Sequence, residues 1–215
     1  MSIHSNLEKI KNHINDKVTL VAVSKTKPLE DIKIAYDYGH KDFGENKVQE
    51  LIKKAQDLPN DINWHMIGHL QRNKVKYIVS FIYLIHSVDS HKLLSEINRQ
   101  ACRIRKIINV LIQVDISEDG SKFGFSETNV INYLENFNID DYQNIKIKGL
   151  MGMASFSYDE ELIKKQFTLL NKIYQKFKKK FEFEYLSMGM SGDYKIALNC
   201  NSNMIRLGSN IFGKR

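Results

Sequence analysis

The chain has 215 residues, 42% of them hydrophobic and 27% charged, with a formal net charge of +7. That length suits one sizeable domain, read here as residues 1–215, and no stretch stays apolar over the roughly 18 residues a membrane helix needs. Two prolines, eleven glycines and two cysteines exclude collagen-like chains, Gly/Pro-rich linkers, disulfide frameworks and cysteine-rich zinc sites.

One pattern repeats along the chain. Short apolar runs of strand length alternate with amphipathic helical stretches. Ser5-Asn6-Leu7-Glu8 reads as a capping box opening a helix to about Asn15. Val18 to Ser24 is a valine-rich strand. A helix over Leu29–Tyr38 stops at Gly39. Lys41–Gly44 is a short strand, Asn46–Asp57 a helix, Asn63–Gly68 a strand, Gln71–Val79 a helix and Ile82–Val88 a strand. Ser90–Arg105 reads as a helix with Leu93, Leu94, Ile97 and Ala101 in phase. Ile107–Asp115 is the clearest strand in the chain. A helix runs from Ser126 to Phe137, then a strand over Ile145–Leu150. Asp159–Lys180 is a long helix, Phe183–Met188 a strand, Asp193–Leu198 a short helix and Met204–Leu207 the last strand.

Eight apolar runs joined by helices imply a parallel sheet buried on both faces. An open doubly wound sheet and a closed barrel both fit the order. Eight βα units with one extra helix in front favour a single (β/α)8 barrel of the TIM type. The positive charge is read as a solvated surface. Its densest stretch, Lys176 to Lys180, ends the long helix, where cations suit the macrodipole, so no nucleic-acid partner is expected. Cys102 and Cys200 read as small buried hydrophobes. The polar N-terminus does not resemble a signal peptide. A cytoplasmic monomer without membrane contact is the expectation.

In such a barrel chemistry sits at the C-terminal ends of the strands. Lys25 follows the first strand, where partial desolvation favours a neutral amine able to form a Schiff base. The run Ser187 to Asp193 follows the seventh strand. Its glycines and serines, with Gly208-Ser209 after the eighth, offer N–H and hydroxyl donors to a phosphate. Arg206 on the last strand becomes a neighbour of Lys25 when the barrel closes. Two adjacent cations call for an anionic or acceptor ligand between them, or for an acid such as Glu45. His65 and His69 lack the helical His-Glu-x-x-His arrangement of a metal site, although one of them can line a pocket. No phosphate-binding Gly-x-x-x-x-Gly-Lys loop occurs, and neither Ser24 nor Ser191 lies in a nucleophile elbow.

Val21-Ala22-Val23-Ser24-Lys25-Thr26-Lys27-Pro28 resembles the signature of the pyridoxal-phosphate homeostasis proteins, the YggS/PROSC family. Matches follow in the same order: Phe43-Gly44-Glu45-Asn46 with Val48-Gln49-Glu50; Trp64 to Gln71 with Asn73-Lys74; Gly149-Leu150-Met151; Ser187 to Asp193; and Ile205-Arg206-Leu207-Gly208 with Ile211-Phe212-Gly213. The resemblance covers essentially the whole chain. It implies a barrel like the N-terminal domain of alanine racemase, with pyridoxal 5′-phosphate held as an aldimine on Lys25. It implies a phosphate site from Ser191, Gly192, Ser202, Gly208 and Ser209, and an Arg206 facing the pyridine nitrogen. Asn46 and His65 join the cofactor-binding candidates. Asn201-Ser202-Asn203 departs from the family's Gly-Ser-Thr. The threonine hydroxyl is lost there, although Asn203 retains a donor.

The resemblance further implies a role in homeostasis or delivery of the cofactor, with cofactor-dependent apo-enzymes as candidate recipients. Carbanion chemistry needs an electron sink, whose strong version is a protonated pyridine nitrogen with a carboxylate partner, and an arginine only donates. The chain also ends at Arg215, just after the barrel, where racemases continue into a second domain. The alternative is a small enzyme on the same cofactor, such as a weak racemase or decarboxylase. It would need a further base, for which Tyr194, His65 and Lys27 are the candidates.

Overall fold

The computed structural model describes residues 2–117 and 123–213. Eight strands form a closed, all-parallel barrel in sequence order. They are β1 (Thr19–Val23), β2 (Asp42–Glu45), β3 (Asn63–Met66), β4 (Leu84–Val88), β5 (Ile108–Val114), β6 (Ile145–Gly152), β7 (Tyr185–Ser187) and β8 (Met204–Leu207). Helices α1 (Ile3–His13), α2 (Leu29–Asp37), α3 (Val48–Asp57), α4 (His91–Arg103), α5 (Glu127–Glu135), α6 (Glu160–Phe181), α7 (Tyr194–Asn199) and α8 (Ser209–Phe212) complete the chain. The closed barrel, rather than the open sheet, is the architecture.

Two boundaries differ from the sequence reading. The first helix is capped by Ser2, whose hydroxyl accepts from Ser5 N–H, one turn before the expected capping box. The segment read as a helix over Gln71–Val79 is a 3-10 stretch, Arg72–Tyr77. Elsewhere local chemistry acts as expected. Ser90, Ser126 and Asp159 cap α4, α5 and α6 through their side chains. Lys180, at the end of α6, donates to the carbonyls of Leu134 and Glu135 and so satisfies the end of α5.

Strand alternation sorts the core into two layers. Leu20, Ala22, Ile205 and Leu207 face the helices in the large outer core. Val21, Leu84, Leu111, Met151 and Met204 form a separate cluster inside the barrel. On α4 the predicted face Leu93, Leu94, Ile97 and Ala101 is buried, each large aliphatic side chain contributing about 1.5–3 kcal/mol. Cys200 is buried, but Cys102 is exposed on the outer side of α4, against the expectation of two buried thiols. Among the described residues no helix is long and apolar enough to cross a membrane.

The pairing of β5 with β6 shifts between Val110 and Leu111, so that Ile147 and Gly149 face consecutive residues and Lys148 is the extra one. Gly149 has φ +152°, and a Cβ there would lie 1.8 Å from Tyr185 O. Gly149→Ala is expected to cost at least about 2 kcal/mol in urea denaturation. Gly192→Ala is the control. Nothing lies within 4 Å of its added carbon, and its midpoint should stay within about 0.5 kcal/mol of the parent.

Burial also sets a pH dependence. Burial pushes His40 down to about 4, against a carbonyl bond to Asp42. Burial, with positive charge nearby, holds His86 well below the ordinary histidine value. Below about pH 6.5 the unfolded chain takes up protons that the folded interior refuses. Stability should therefore be full above that value and fall on acidification, each histidine adding a slope of about 1.4 kcal/mol per pH unit. Urea midpoints between about pH 7 and 5 test the slope, and His40→Asn should remove its share.

Candidate functional site

The C-terminal ends of the strands surround a cavity of about 510 Å³. Lys25, just beyond β1, and Arg206, on β8, both line it. Barrel closure makes their strands neighbours, with Val21 opposite Arg206. Asn46 enters from the β2 side, Ser191 and Gly192 from the loop before α7, and Gly208 and Ser209 from the turn into α8. The structure thus brings seven of the ten expected site residues to one cavity.

The segment bearing Lys25 is clamped on both sides. Ser24 is fully buried, and its hydroxyl donates to Glu45 Oε1 at 2.7 Å. Lys54 Nζ, from α3, donates to Ser24 O, Glu45 Oε1 and Glu50 Oε1 at 2.8, 2.8 and 2.7 Å. The N–H of Thr26 donates to Glu50 Oε1 at 2.6 Å. Thr26 has φ +63°, a left-handed conformation that costs a β-branched residue about 1–3 kcal/mol. The clamp holds that strained residue in place. Burial raises Glu45 above the ordinary carboxylate value, against hydrogen bonds from Lys54 and Ser24. Burial also pushes Glu50 upward, but its bonds from Lys54 and Thr26 outweigh it and hold the group below its ordinary value. The i,i+4 spacing of Glu50 and Lys54 on a helix was the sequence signal for this clamp, and the sequence reading did not use it.

The β7 and β8 loops meet at close quarters. Gly189 has φ +97°, and a Cβ there would lie 2.7 Å from Ala197 Cβ and 2.9 Å from Tyr194 Cα. Only glycine lets α7 pack so tightly on the loop. Asp193 Oδ1 accepts from Met190 N–H at 2.6 Å and closes the turn. Ser191 Oγ accepts from Gly208 N–H at 3.4 Å, joining the two loops. Among the described residues the N–H groups of Ser191 and Gly192 have no backbone or side-chain acceptor. Two such donors together make an anion-binding corner.

Arg206 is 3% exposed. Its Nη1 donates to Ser187 O at 3.0 Å and Ser187 Oγ at 2.7 Å, and its Nη2 to Gly152 O at 3.3 Å. Burial lowers the guanidinium to about 10, partly opposed by the charge of Asp193. The acid suggested by the sequence, Glu45, is engaged by Lys54. Among the described residues no carboxylate lies within ion-pair distance of Arg206.

Three expected residues lie elsewhere. Ser202 precedes β8, and its hydroxyl is occupied among the carbonyls of Leu186, Met188 and Met204 at 3.1, 2.7 and 3.1 Å. Asn203 accepts from Leu186 N–H at 2.7 Å and donates to Glu184 O at 2.6 Å. Both tie β7 to the start of β8, the end of the strand away from the cavity. The lost threonine hydroxyl therefore bears on that joint, not on the cavity wall. His65 is fully buried inside the barrel, bonded to His86 and Asp42. His69 bonds Asp89 and stacks on Phe123. Lys27 Nζ donates to the carbonyls of Phe212 and Gly213. Among the described residues no group of His, Cys, Asp and Glu has a metal-holding arrangement.

The sequence reading missed the outer wall. Phe156 and Tyr158, between β6 and α6, line the cavity while 99% and 97% exposed. The loop they share has no periodicity to point to it.

The family model of the alanine racemase N-terminal domain matches residues 1–215. A pyridoxal phosphate homeostasis protein of Pasteurella multocida is 34% identical, over 100% of this chain and 98% of its own length. The PipY protein of Synechococcus elongatus, solved with pyridoxal phosphate bound, superposes with a TM-score of 0.88 at 30% identity, covering 99% of this chain and all of that one. The alanine racemase of Clostridium difficile shares the fold at a TM-score of 0.83 and 15% identity, this chain covering 57% of it. The conserved architecture and the full-length matches agree: this chain belongs to the pyridoxal phosphate homeostasis family, built on the barrel of the alanine racemase N-terminal domain.

Proposed function

We propose that the chain carries pyridoxal 5′-phosphate, holding it reversibly through Lys25 and serving its intracellular homeostasis and delivery without strong catalysis of its own. One observation carries the reading. Lys25 and the buried Arg206 share one cavity with the N–H groups of Ser191 and Gly192, and among the described residues no carboxylate lies within ion-pair distance of the arginine. Such a donor set fits a ligand with a carbonyl, an acceptor nitrogen and a phosphate. When bound, the cofactor supplies an aldehyde that condenses reversibly with a primary amine.

Each residue has a separate task. Lys25 presents the amine from a segment fixed by Glu45, Glu50 and Lys54. Ser191, Gly192, Gly208 and Ser209 would hold the phosphate. Arg206 would donate toward the ring nitrogen and give no support to its protonation, because a guanidinium has no acceptor to offer. That weakens the electron sink that racemisation or decarboxylation requires. Of the bases the enzyme alternative needs, Lys27 is engaged by two carbonyls and His65 lies inside the barrel. Sequestration protects cellular amines from a reactive aldehyde. The same reading puts the chain in the cytoplasm as a monomer, with cofactor-dependent apo-enzymes as recipients.

Visible absorbance with added pyridoxal phosphate tests the proposal. Once unbound cofactor is removed by desalting, the parent should stay yellow, and borohydride followed by peptide mapping should place the label on Lys25. Lys25→Ala should stay colourless, and amino acids should keep their α-hydrogen in the presence of the loaded parent. A colourless parent, or a label scattered over surface lysines, overturns the assignment. Glu50→Ala removes the acceptor of the Thr26 N–H and should raise the dissociation constant about three- to tenfold, the worth of one hydrogen bond.

A further inference from the structure

A line of polar side chains crosses the barrel interior below the cavity. It begins at Asp42 on β2, whose side chain keeps 25% exposure. His65 Nε2 lies 3.1 Å from Asp42 Oδ1. His65 Nδ1 lies 2.8 Å from His86 Nε2. His86 Nδ1 lies 3.1 Å from Ser187 Oγ. Ser187 Oγ lies 2.7 Å from Arg206 Nη1. His65, His86 and Ser187 have no exposed surface.

Both ends of this line have fixed polarity. A guanidinium only donates, and an ionised carboxylate only accepts. Burial pushes Asp42 upward, but bonds from His65 and Asn63 outweigh it and hold the group below the ordinary carboxylate value. Arg206 therefore donates to Ser187 Oγ. The serine proton then goes to His86 Nδ1, the remaining partner of that oxygen. His86 donates from Nε2 to His65 Nδ1, and His65 donates from Nε2 to Asp42. This arrangement leaves no donor in the line without an acceptor. A doubly protonated His65 would turn His86 around and strand the serine hydrogen, a buried loss of about 1–3 kcal/mol. Aligned bonds of this kind polarise one another, so the carboxylate at one end is felt at the cation on the other.

We propose that Asp42 is a positioning residue for Arg206, acting through His65, His86 and Ser187 as one directional chain of hydrogen bonds that aims the guanidinium into the cavity. This rests on the cofactor reading above for what the guanidinium meets. It goes beyond that reading in placing a determinant of the site near the opposite end of the barrel.

Long-range nitrogen-15 NMR of the ligand-free protein tests the chain without the cofactor. Both His65 and His86 are expected as Nε2–H tautomers, as the polarity of the line requires. A doubly protonated His65, or an Nδ1–H tautomer of either ring, overturns the proposal. Asp42→Ala should shift the Arg206 side-chain nitrogen resonances, and Asp42→Asn, which keeps an acceptor, should restore them. Unshifted resonances in Asp42→Ala overturn it as well. With pyridoxal phosphate, Asp42→Ala and Ser187→Ala should each raise the dissociation constant about three- to tenfold. The double variant should be no worse than the weaker-binding single, because both cut one chain, whereas independent sites multiply. Multiplied effects count against the proposal. A parent that takes up no cofactor but shows these NMR signatures overturns the carrier reading and upholds the coupling of Asp42 to Arg206.

Discussion

Closure of β1 against β8 is the constraint from which the site follows. That register sets Val21 opposite Arg206 and brings the first and last parts of the chain to one rim. Lys25 and Arg206 are far apart in sequence, yet the barrel makes them adjacent. An amine and a buried guanidinium at one rim favour a polar guest over an apolar one. The loops after β7 and β8 add the N–H donors of Ser191 and Gly192, while Asp193, tied into its own turn, is the carboxylate whose charge reaches Arg206. The cavity is thereby specified for an electron-rich guest before any one contact is considered.

The protein buries two cations in different ways. Lys54 is surrounded at short range by Glu45, Glu50 and a carbonyl, and that compact group spends its charge on fixing a loop. Among the described residues Arg206 donates to neutral acceptors alone, on Ser187 and Gly152. Breaking a compact buried pair leaves an uncompensated charge and costs about 3–5 kcal/mol. A guanidinium satisfied by neutral groups keeps its charge available to a ligand. The first arrangement serves architecture and the second serves binding.

Most of the fold was legible because its signals are local. The apolar runs at Val18–Ser24 and Ile107–Asp115, the phased face of α4 and the caps at Ser90 and Asp159 need only a few neighbouring residues to be read. Lys25 and Arg206 were legible because parallel strands deliver their next residues to one face. Ser202 and Asn203 misled because the resemblance counts them with the phosphate site while depth along the strand decides what reaches the cavity. Both precede β8, and the cavity lies toward the other end of that strand, where Arg206 lines it. His65 misled similarly. Strand alternation turns it inward, but its pairing opposite Gly44 and Leu84 keeps it within the barrel. Its partners His86 and Asp42 are each more than twenty residues away in sequence, so no motif announces them. The exposed wall at Phe156 and Tyr158 has no periodic signature at all.

That wall has a kinetic meaning. Its base is pinned, since Ser155 N–H donates to Gln166 and Asp159 caps α6. Between these anchors Phe156 and Tyr158 rest against water instead of the core. The floor of the cavity belongs to the rigid barrel, and this side of it belongs to solvent. Cargo can therefore come and go with rearrangement of side chains whose displacement exposes no new core. Traffic is separated from stability: on the proposed reading the residence time of a guest is set at Lys25 and the donors of the β7 and β8 loops, not by a barrier to opening the protein.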